Sequence, residues 1–311
     1  GTSVADTNSL KLVAERIIEC KEDNNDVVVV PSAMGSSTDE LIHLASELSE
    51  KPTPREMDML LSAGERITMS LLSMHLNSIG YSSFSLTGSQ AGIITTSRHG
   101  QAEIEEITGE RVKEGLDNGD IVIVAGFQGF NRDTKEITTL GRGGSDVTAV
   151  ALAAALGAER CEIFTDVEGV FTTDPRIVKK AKKLDFITYE EMLELASQGA
   201  KVLQTRSVAL AMKYNVNLRV LSSFANVPGT LIAEERGNME KSEISGIAHS
   251  LNEAKITLSD IPDQPGQAAK IFGALAEFSI NVDMIVQSSS INHGSTDMTF
   301  TIPETDLLIA E

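Results

Sequence analysis

The stretch Thr139-Leu140-Gly141-Arg142-Gly143-Gly144-Ser145-Asp146 constrains this chain more than any other, because it puts three glycines in four positions just before an alanine-rich helix. Upstream, Asp120-Ile121-Val122-Ile123-Val124-Ala125-Gly126-Phe127 is short, apolar and β-branched, the pattern of a strand buried on both faces. Downstream, Val147, Val150, Ala151 and Ala154 fall on one helical stripe. The glycines free the backbone of Cβ atoms where the helix begins, so several N–H groups can converge on an anion at the positive end of its dipole. Arg142 adds a fork-shaped cation. The same residues also read as a flexible glycine loop with a Ser-Asp N-cap, and spacing alone does not separate the two.

The strand-loop-helix pattern recurs. Thr7 to Lys21 is a helix with Leu10, Val13, Ala14, Ile17 and Ile18 at helical spacing, and Asp26 to Val30 is a buried strand. The loop Pro31-Ser32-Ala33-Met34-Gly35-Ser36-Ser37-Thr38 then enters a helix over 39–50; its hydroxyls suit either a helix cap or a ligand. Pro54 opens one long helix through Ile79, in which Glu65 reads as solvated surface on burial statistics. A strand over 81–86, a helix over 102–116 and the strand ending at Phe127 follow. After the glycine loop and its helix come a strand over 161–166, a polar loop through Arg176, helices over 189–199 and 203–213, and a strand over 217–222. This alternation predicts an α/β domain, a mainly parallel sheet sandwiched by helices. Ligands of such sheets bind beyond the carboxyl ends of the strands, and the polar clusters after Val30, Phe127 and Phe164 lie at those ends.

A charged, unpatterned segment over 226–243 reads as a linker. Beyond it, a strand over 254–261, Pro265-Gly266, a helix over 267–278 and strands over 280–286 and 296–302 give the order β-α-β-β of a small α+β, ferredoxin-like module. The expected division is 1–225, linker 226–243 and 244–311.

Composition excludes some partners. With 26 basic against 45 acidic residues, a net charge of −19 argues against nucleic acid and anionic membrane surfaces. An anionic ligand must therefore meet cations placed locally. Cys20 and Cys161 make no disulfide framework, no apolar run reaches membrane-span length, and no signal peptide is visible, which points to the cytoplasm.

Taken together, Ser32-Ala33-Met34-Gly35 with Thr38-Asp39-Glu40-Leu41, Gly64-Glu65-Arg66, Thr139 to Asp146, Thr165-Asp166 with Gly169 to Arg176, and Asp263-Gln264-Pro265-Gly266 with Asn281-Val282-Asp283 resemble the aspartate kinases. These are amino acid kinases with C-terminal ACT-type regulatory modules. Each motif is weak alone, but together they follow the family order across nearly the whole chain. The resemblance implies phosphoryl transfer from MgATP to the side-chain carboxylate of L-aspartate, on the way to lysine, threonine and methionine. An ionised carboxylate needs no general base, so positioning and charge neutralisation must supply the rate.

The resemblance also implies roles. Arg142 would clamp an aspartate carboxylate beside the amides of Gly143, Gly144 and Ser145, and Glu65 would receive the α-ammonium. Ser32, Gly35 and Thr38 would line that pocket, Arg111 and Val112 match a substrate-contact position, and Asp146 would organise the reacting groups without acting as a base. Gly1, Thr2, Ser3, Thr165, Asp166, Phe171, Asp174, Arg176, Lys201 and Val202 would hold ATP, with Arg176, Lys201 and Mg²⁺ facing phosphate. Apart from the family, Arg111 reads as an exposed helix arginine and Lys201 as a solvated helix-end lysine. No residue is assigned to a resident metal. Lysine or threonine would act as effector at Asp263, Pro265, Gly266, Gln267, Ala268, Asn281, Val282, Asp283 and Gln287, in a homo-oligomer joined through ACT modules.

Two departures from the pattern stand out. The family's opening strand and Lys-Phe-Gly-Gly-Thr-Ser loop are represented by Gly1-Thr2-Ser3 alone, without the phosphate-neutralising lysine. Of the family's two ACT modules only the first is nearly complete here, and the segment over 243–249 resembles a strand the second would pair with. The alternatives are a catalytically impaired effector-binding subunit or fragment of the same family, and an amino acid kinase for another carboxylate, for which Glu65 and the second module have no use.

Overall fold

The computed structural model describes residues 1–200, 202–235, 245–250, 252–278, 280–289 and 294–310. Two compact units emerge, Gly1–Ala248 and His249–Glu311. After a short 3₁₀ turn at Thr2–Val4, the first unit runs α1 (Thr7–Glu22), β1 (Val28–Val29), α2 (Ser37–Leu48), α3 (Pro54–Leu61), α4 (Ala63–Ser78), β2 (Ser83–Leu86), β3 (Ile93–Thr95), β4 (Ile104–Ile107), α5 (Glu110–Asp117) and β5 (Ile121–Val124). It continues through β6 (Gln128–Asn131), β7 (Ile137–Thr139), α6 (Gly144–Leu156), β8 (Cys161–Thr165), β9 (Phe186–Thr188), α7 (Tyr189–Ser197), α8 (Thr205–Tyr214), β10 (Leu218–Ser222) and β11 (Thr230–Ala233).

β5 is the central strand of a parallel sheet with order β1-β5-β2. Its side chains alternate between two apolar layers: Ile121 and Ile123 pack with Leu10, Ala14, Leu72 and Leu76 of α1 and α4, while Val122 and Val124 pack with Val112 and Leu152 of α5 and α6. Burying each such side chain contributes about 1.5–3 kcal/mol. This is the sandwich that the continuous apolar run predicts. The second sheet, β8-β10-β11-β9, pairs β8 and β10 in parallel over a separate core that includes Ile163, Val208, Leu218 and Val220. A mixed sheet, β4-β3-β6-β7, completes the unit.

Several expectations are corrected. The helix expected over 102–116 is the edge strand β4 followed by α5. Ile104 and Ile107 are spaced for either element, but the left-handed Gly109 (φ 63°) starts the helix afresh. The single helix from Pro54 is divided at buried Ser62, whose carbonyl accepts a hydrogen bond from Gln128 Nε2 at 2.9 Å. α2 begins at Ser37 with no side-chain cap; Ser36 Oγ donates to Glu40 and Ser37 Oγ to Met34 O. The Ser-Asp cap is likewise not used, since the cap position of α6 is left-handed Gly143 and both residues lie in its first turn. Residues 230–233, expected in the linker, form β11, paired with β10 and β9. β3, β6, β7 and β9 were not anticipated.

The second unit contains β12 (Glu253–Pro262), α9 (Gln267–Glu277), β13 (Ile285–Ser289), β14 (Ser295–Pro303) and the single turn α10 (Leu307–Ala310). Its antiparallel sheet has order β12-β14-β13, and Ile271, Phe272 and Leu275 of α9 pack on Ile280, Phe300 and Ile302. β13 lies later than expected. The strand expected over 243–249 is not seen: residues 243 and 244 lie outside the described residues, and Ser245 and Ile247 bond to Glu191 and Thr172 of the first unit in irregular conformation.

One close approach decides the geometry of the cleft. A Cβ on Gly64, in the first turn of α4, would lie 2.7 Å from Ala33 Cβ. Gly64→Ala should therefore lower stability by about 1–3 kcal/mol through overpacking, although alanine gains about 1 kcal/mol in helix propensity. Urea unfolding that finds the variant more stable than the parent would refute this contact.

Candidate active site

The loops leaving the parallel strands meet at one end of the first unit. Gly126, just past β5, donates its N–H to Pro31 O, just past β1, at 3.4 Å. Gly126 also admits the first turn of α6, since a Cβ there would lie 2.6 Å from Ser145 Oγ. The turn Gly1–Ser3 sits between this group and the second sheet. The Gly1 ammonium donates to Ala33 O, and Ser3 Oγ lies 2.5 Å from Ser223 Oγ and 3.4 Å from Phe164 O. Ser223 N–H in turn donates to Thr165 O at 2.8 Å, linking the ends of β8 and β10. The loops after β1, β5 and β8 thus approach one another, together with a fourth after β10; the polar residues after Phe127 instead form β6 and its hairpin with β7, and the glycine loop enters α6 from β7.

Two carboxylates set its electrostatics. Glu65, expected at the surface, is 4% exposed. Its Oε1 accepts from Ala33 N–H at 3.2 Å, and Oε2 has no hydrogen-bond partner among the described residues. Burial raises its carboxyl above the usual range, against the opposing effects of its own N–H, that of Ala33 and the Gly1 ammonium. Asp146, in the first turn of α6, is pushed up to about 6 by burial. Burial, helped by Asp146 and Glu162, pushes the Cys161 thiol up to about 12, so that thiol is not a nucleophile at neutral pH.

The glycine loop is held firmly from behind. Arg206 donates from Nη1 to Leu140 O at 2.6 Å and from Nη2 to Ala102 O at 3.0 Å. Gly143, left-handed at φ 70°, lies so close to Gln204 that any Cβ would collide with it. Arg142 itself is exposed and makes no hydrogen bond or ion pair among the described residues. Arg16, which sequence reasoning missed, stacks 5.4 Å over the Phe164 ring and donates to Ala225 O at 3.2 Å.

Other expected positions divide. Ser32 is half-buried in the loop after β1 and Thr38 in the first turn of α2, and Gly35 is left-handed (φ 47°) against Ala5 O. Thr165 Oγ1 bonds to Asp166 at 3.2 Å. Arg176 is largely exposed and forked onto Asp174, with Nη2 to Oδ2 at 2.9 Å. Phe171 forms an isolated bridge to Lys183 and Val202 is half-buried, while Lys201 lies outside the described residues. Val112 is fully buried in the β5 core, which excludes a substrate contact by its side chain, and Arg111 is exposed on α5.

In the second unit the effector residues fall into two groups. Asp263, Pro265, left-handed Gly266, Gln267 and Ala268 form the turn from β12 into α9, whereas Asn281, Val282 and Asp283 precede β13, with Gln287 on it. Pro262 pairs with Ser295 at one end of the sheet, and Asp283 N–H donates to Thr301 O near the other. One chain does not bring the two groups together.

The alternating sheet, the glycine loop at a helix start and the attached β-α-β-β module define a kinase of the amino acid kinase class joined to a regulatory module. Residues 1–222 match the amino acid kinase family and residues 259–310 the ACT domain. The aspartokinase of Corynebacterium efficiens is 55% identical over 309 residues, covering 98% of this chain and 73% of that protein. The crystal structure of E. coli aspartokinase III in complex with aspartate and ADP has a TM-score of 0.83 at 28% identity, covering 97% of this chain and 77% of that one. The same enzyme in complex with lysine and aspartate gives 0.77 at 28% identity, covering 98% and 78%. The chain belongs to the aspartokinase family. Among the described residues no helix is long and apolar enough to cross a membrane.

The half-buried Asp146 carries a consequence for stability. With its folded value near 6 against an ordinary 3.8, the folded state holds an extra proton between about pH 4 and 6, so stability falls as pH rises through that window. Asp146→Asn should match the parent below pH 4 and exceed it above pH 6 by about 2–3 kcal/mol, at roughly 1.4 kcal/mol per unit. Denaturant titrations at pH 4 and 7.5 that show no widening gap would exclude a half-buried, uncompensated carboxylate there.

Proposed function

We propose that this chain phosphorylates the β-carboxylate of L-aspartate from MgATP, giving 4-phospho-L-aspartate. The carrying observation is Glu65: a buried acid with one oxygen unpartnered, beside the backbone of the loop after β1, in a crevice otherwise suited to anions. A buried carboxylate of this kind needs a cation, and the α-ammonium of aspartate supplies it. Arg142, free of other partners among the described residues, would take a carboxylate of the same molecule with the amides of Gly143, Gly144 and Ser145. An acceptor carrying no ammonium would leave Glu65 without a role.

ATP would lie over the ends of β8 and β10, near Gly1, Thr2, Ser3, Thr165, Asp166 and Asp174. Mg²⁺ would be carried by the nucleotide phosphates. When bound, that ion neutralises phosphate charge. The protein contributes alignment: Glu65 and Arg142 orient aspartate by its two ends, and no base is required.

Regulation belongs to the second unit. Lysine, threonine or both would bind at the turn from β12 into α9, with Asn281, Val282, Asp283 and Gln287 contributed by a second copy of the chain. The lysine complex of the E. coli relative supports this reading.

Glu65→Gln should lower kcat/KM for aspartate about 10- to 100-fold, the worth of one charged hydrogen bond. Arg142→Ala should raise the KM for aspartate at least as much and leave that for ATP within about twofold. A coupled ADP-release assay in which both variants keep parental aspartate parameters would remove the substrate assignment.

A further inference from the structure

We infer that Asp58, which lies outside the crevice, is a positioning residue that sets the separation between Arg142 and Glu65 and so governs aspartate affinity; this rests on the aspartate reading above. Asp58 sits on α3 and is 1% exposed. Its Oδ1 accepts from Thr139 Oγ1 at 2.5 Å and Gly100 N–H at 3.0 Å, and its Oδ2 from His99 Nδ1 at 2.6 Å and Gly100 N–H at 3.2 Å. Thr139 ends β7, three residues before Arg142. Gly100 supports the same loop from the opposite side, because its carbonyl lies 3.0 Å from where a Cβ on Gly141 would stand. One carboxylate therefore grips both supports of the arginine loop.

The other end of the lever is Glu65. α3 and α4 share the junction residue Ser62, three residues before Glu65. Gln128 on β6 fixes that junction, donating to Ser62 O at 2.9 Å and accepting from Arg66 Nε at 3.2 Å. Outside this frame, His99 Nε2 lies 3.3 Å from Glu136, which Arg55 of α3 also approaches at 3.4 Å. The helix pair carrying the ammonium acceptor and the hairpin leading to the carboxylate clamp are thereby tied into one frame. Stability alone does not call for a charge here, since a buried polar cluster is commonly replaceable by apolar packing. What a carboxyl side chain adds is direction: three donors converge on its two fixed oxygens.

The test isolates the Thr139 hydroxyl. Thr139→Val keeps the shape and removes the donor, whereas Thr139→Ser keeps the donor. Calorimetry on the intact chain should find aspartate bound about tenfold more weakly by Thr139→Val, MgADP bound within about twofold of the parent, and aspartate affinity restored in Thr139→Ser. Should Thr139→Val fail to fold, Asp58→Asn, which keeps an acceptor for Thr139 but turns an amide towards His99, should weaken aspartate and spare MgADP in the same way. Equal aspartate affinity in the Val and Ser variants, or equal loss of aspartate and MgADP, overturns the inference while leaving the substrate reading intact. A parent protein that binds MgADP but not aspartate overturns both.

Discussion

Everything in the first unit depends on β5 being buried on both faces. A strand that presents Ile121 and Ile123 to one layer of helices and Val122 and Val124 to another cannot slip by one residue without exchanging the two sets. Its carboxyl end is therefore fixed, and Gly126 follows at a set depth. From that point the chain can bring the loop after β1 and the start of α6 within contact only because neither Gly126 nor Gly64 carries a side chain. The crevice is thus a consequence of core register. Local loop preferences alone would not create it.

Electrostatics then works against the empty protein. With a net charge of −19, the molecule still buries Glu65 and half-buries Asp146 near the same crevice, and neither has a side-chain cation paired with it among the described residues. Each raises the cost of folding while ionised. On the aspartate reading, the substrate's ammonium would offset that cost at Glu65. Such a site stores part of its binding energy as destabilisation of the unliganded state. That is the expected arrangement when two mutually repelling substrates must be aligned without covalent help.

Much of this was legible in the sequence. The apolar runs of β1, β5 and β8 read as buried strands, and the polar residues after β1 and β8 mark loops that meet, whereas those after Phe127 form β6. Short strands were lost because their signal is a few residues long: Ile104 and Ile107 suit a helix as well as an edge strand, and Thr230 to Ala233 lie beside a charged segment. Glu65 was misread at the level of local pattern, where an acid beside glycine looks solvated; only the approach of Ala33 buries it. Asp58 and Arg206 gave no motif, because their partners lie between 41 and 104 residues away in the chain. An acid inside Met57-Asp58-Met59-Leu60-Leu61 was the one visible sign.

The second unit raises a geometric constraint of its own. Asp283 precedes β13 and Ser289 ends it, six residues apart, so the two ends of that strand are separated by about 20 Å at roughly 3.3 Å per residue. The turn into α9 lies at the Ser289 end, because Ile261 and Ser289 both pair with Thr296. No single amino acid spans that distance. If Asp263 and Asn281 both touch the effector, the second must come from another copy, turned so that opposite ends meet. β13 is the free edge of its sheet, with Met284, Ile285 and Val286 exposed along it, and two such edges paired antiparallel would bring the required ends together. On that reading, effector binding and association through this edge would be one equilibrium, each strengthening the other.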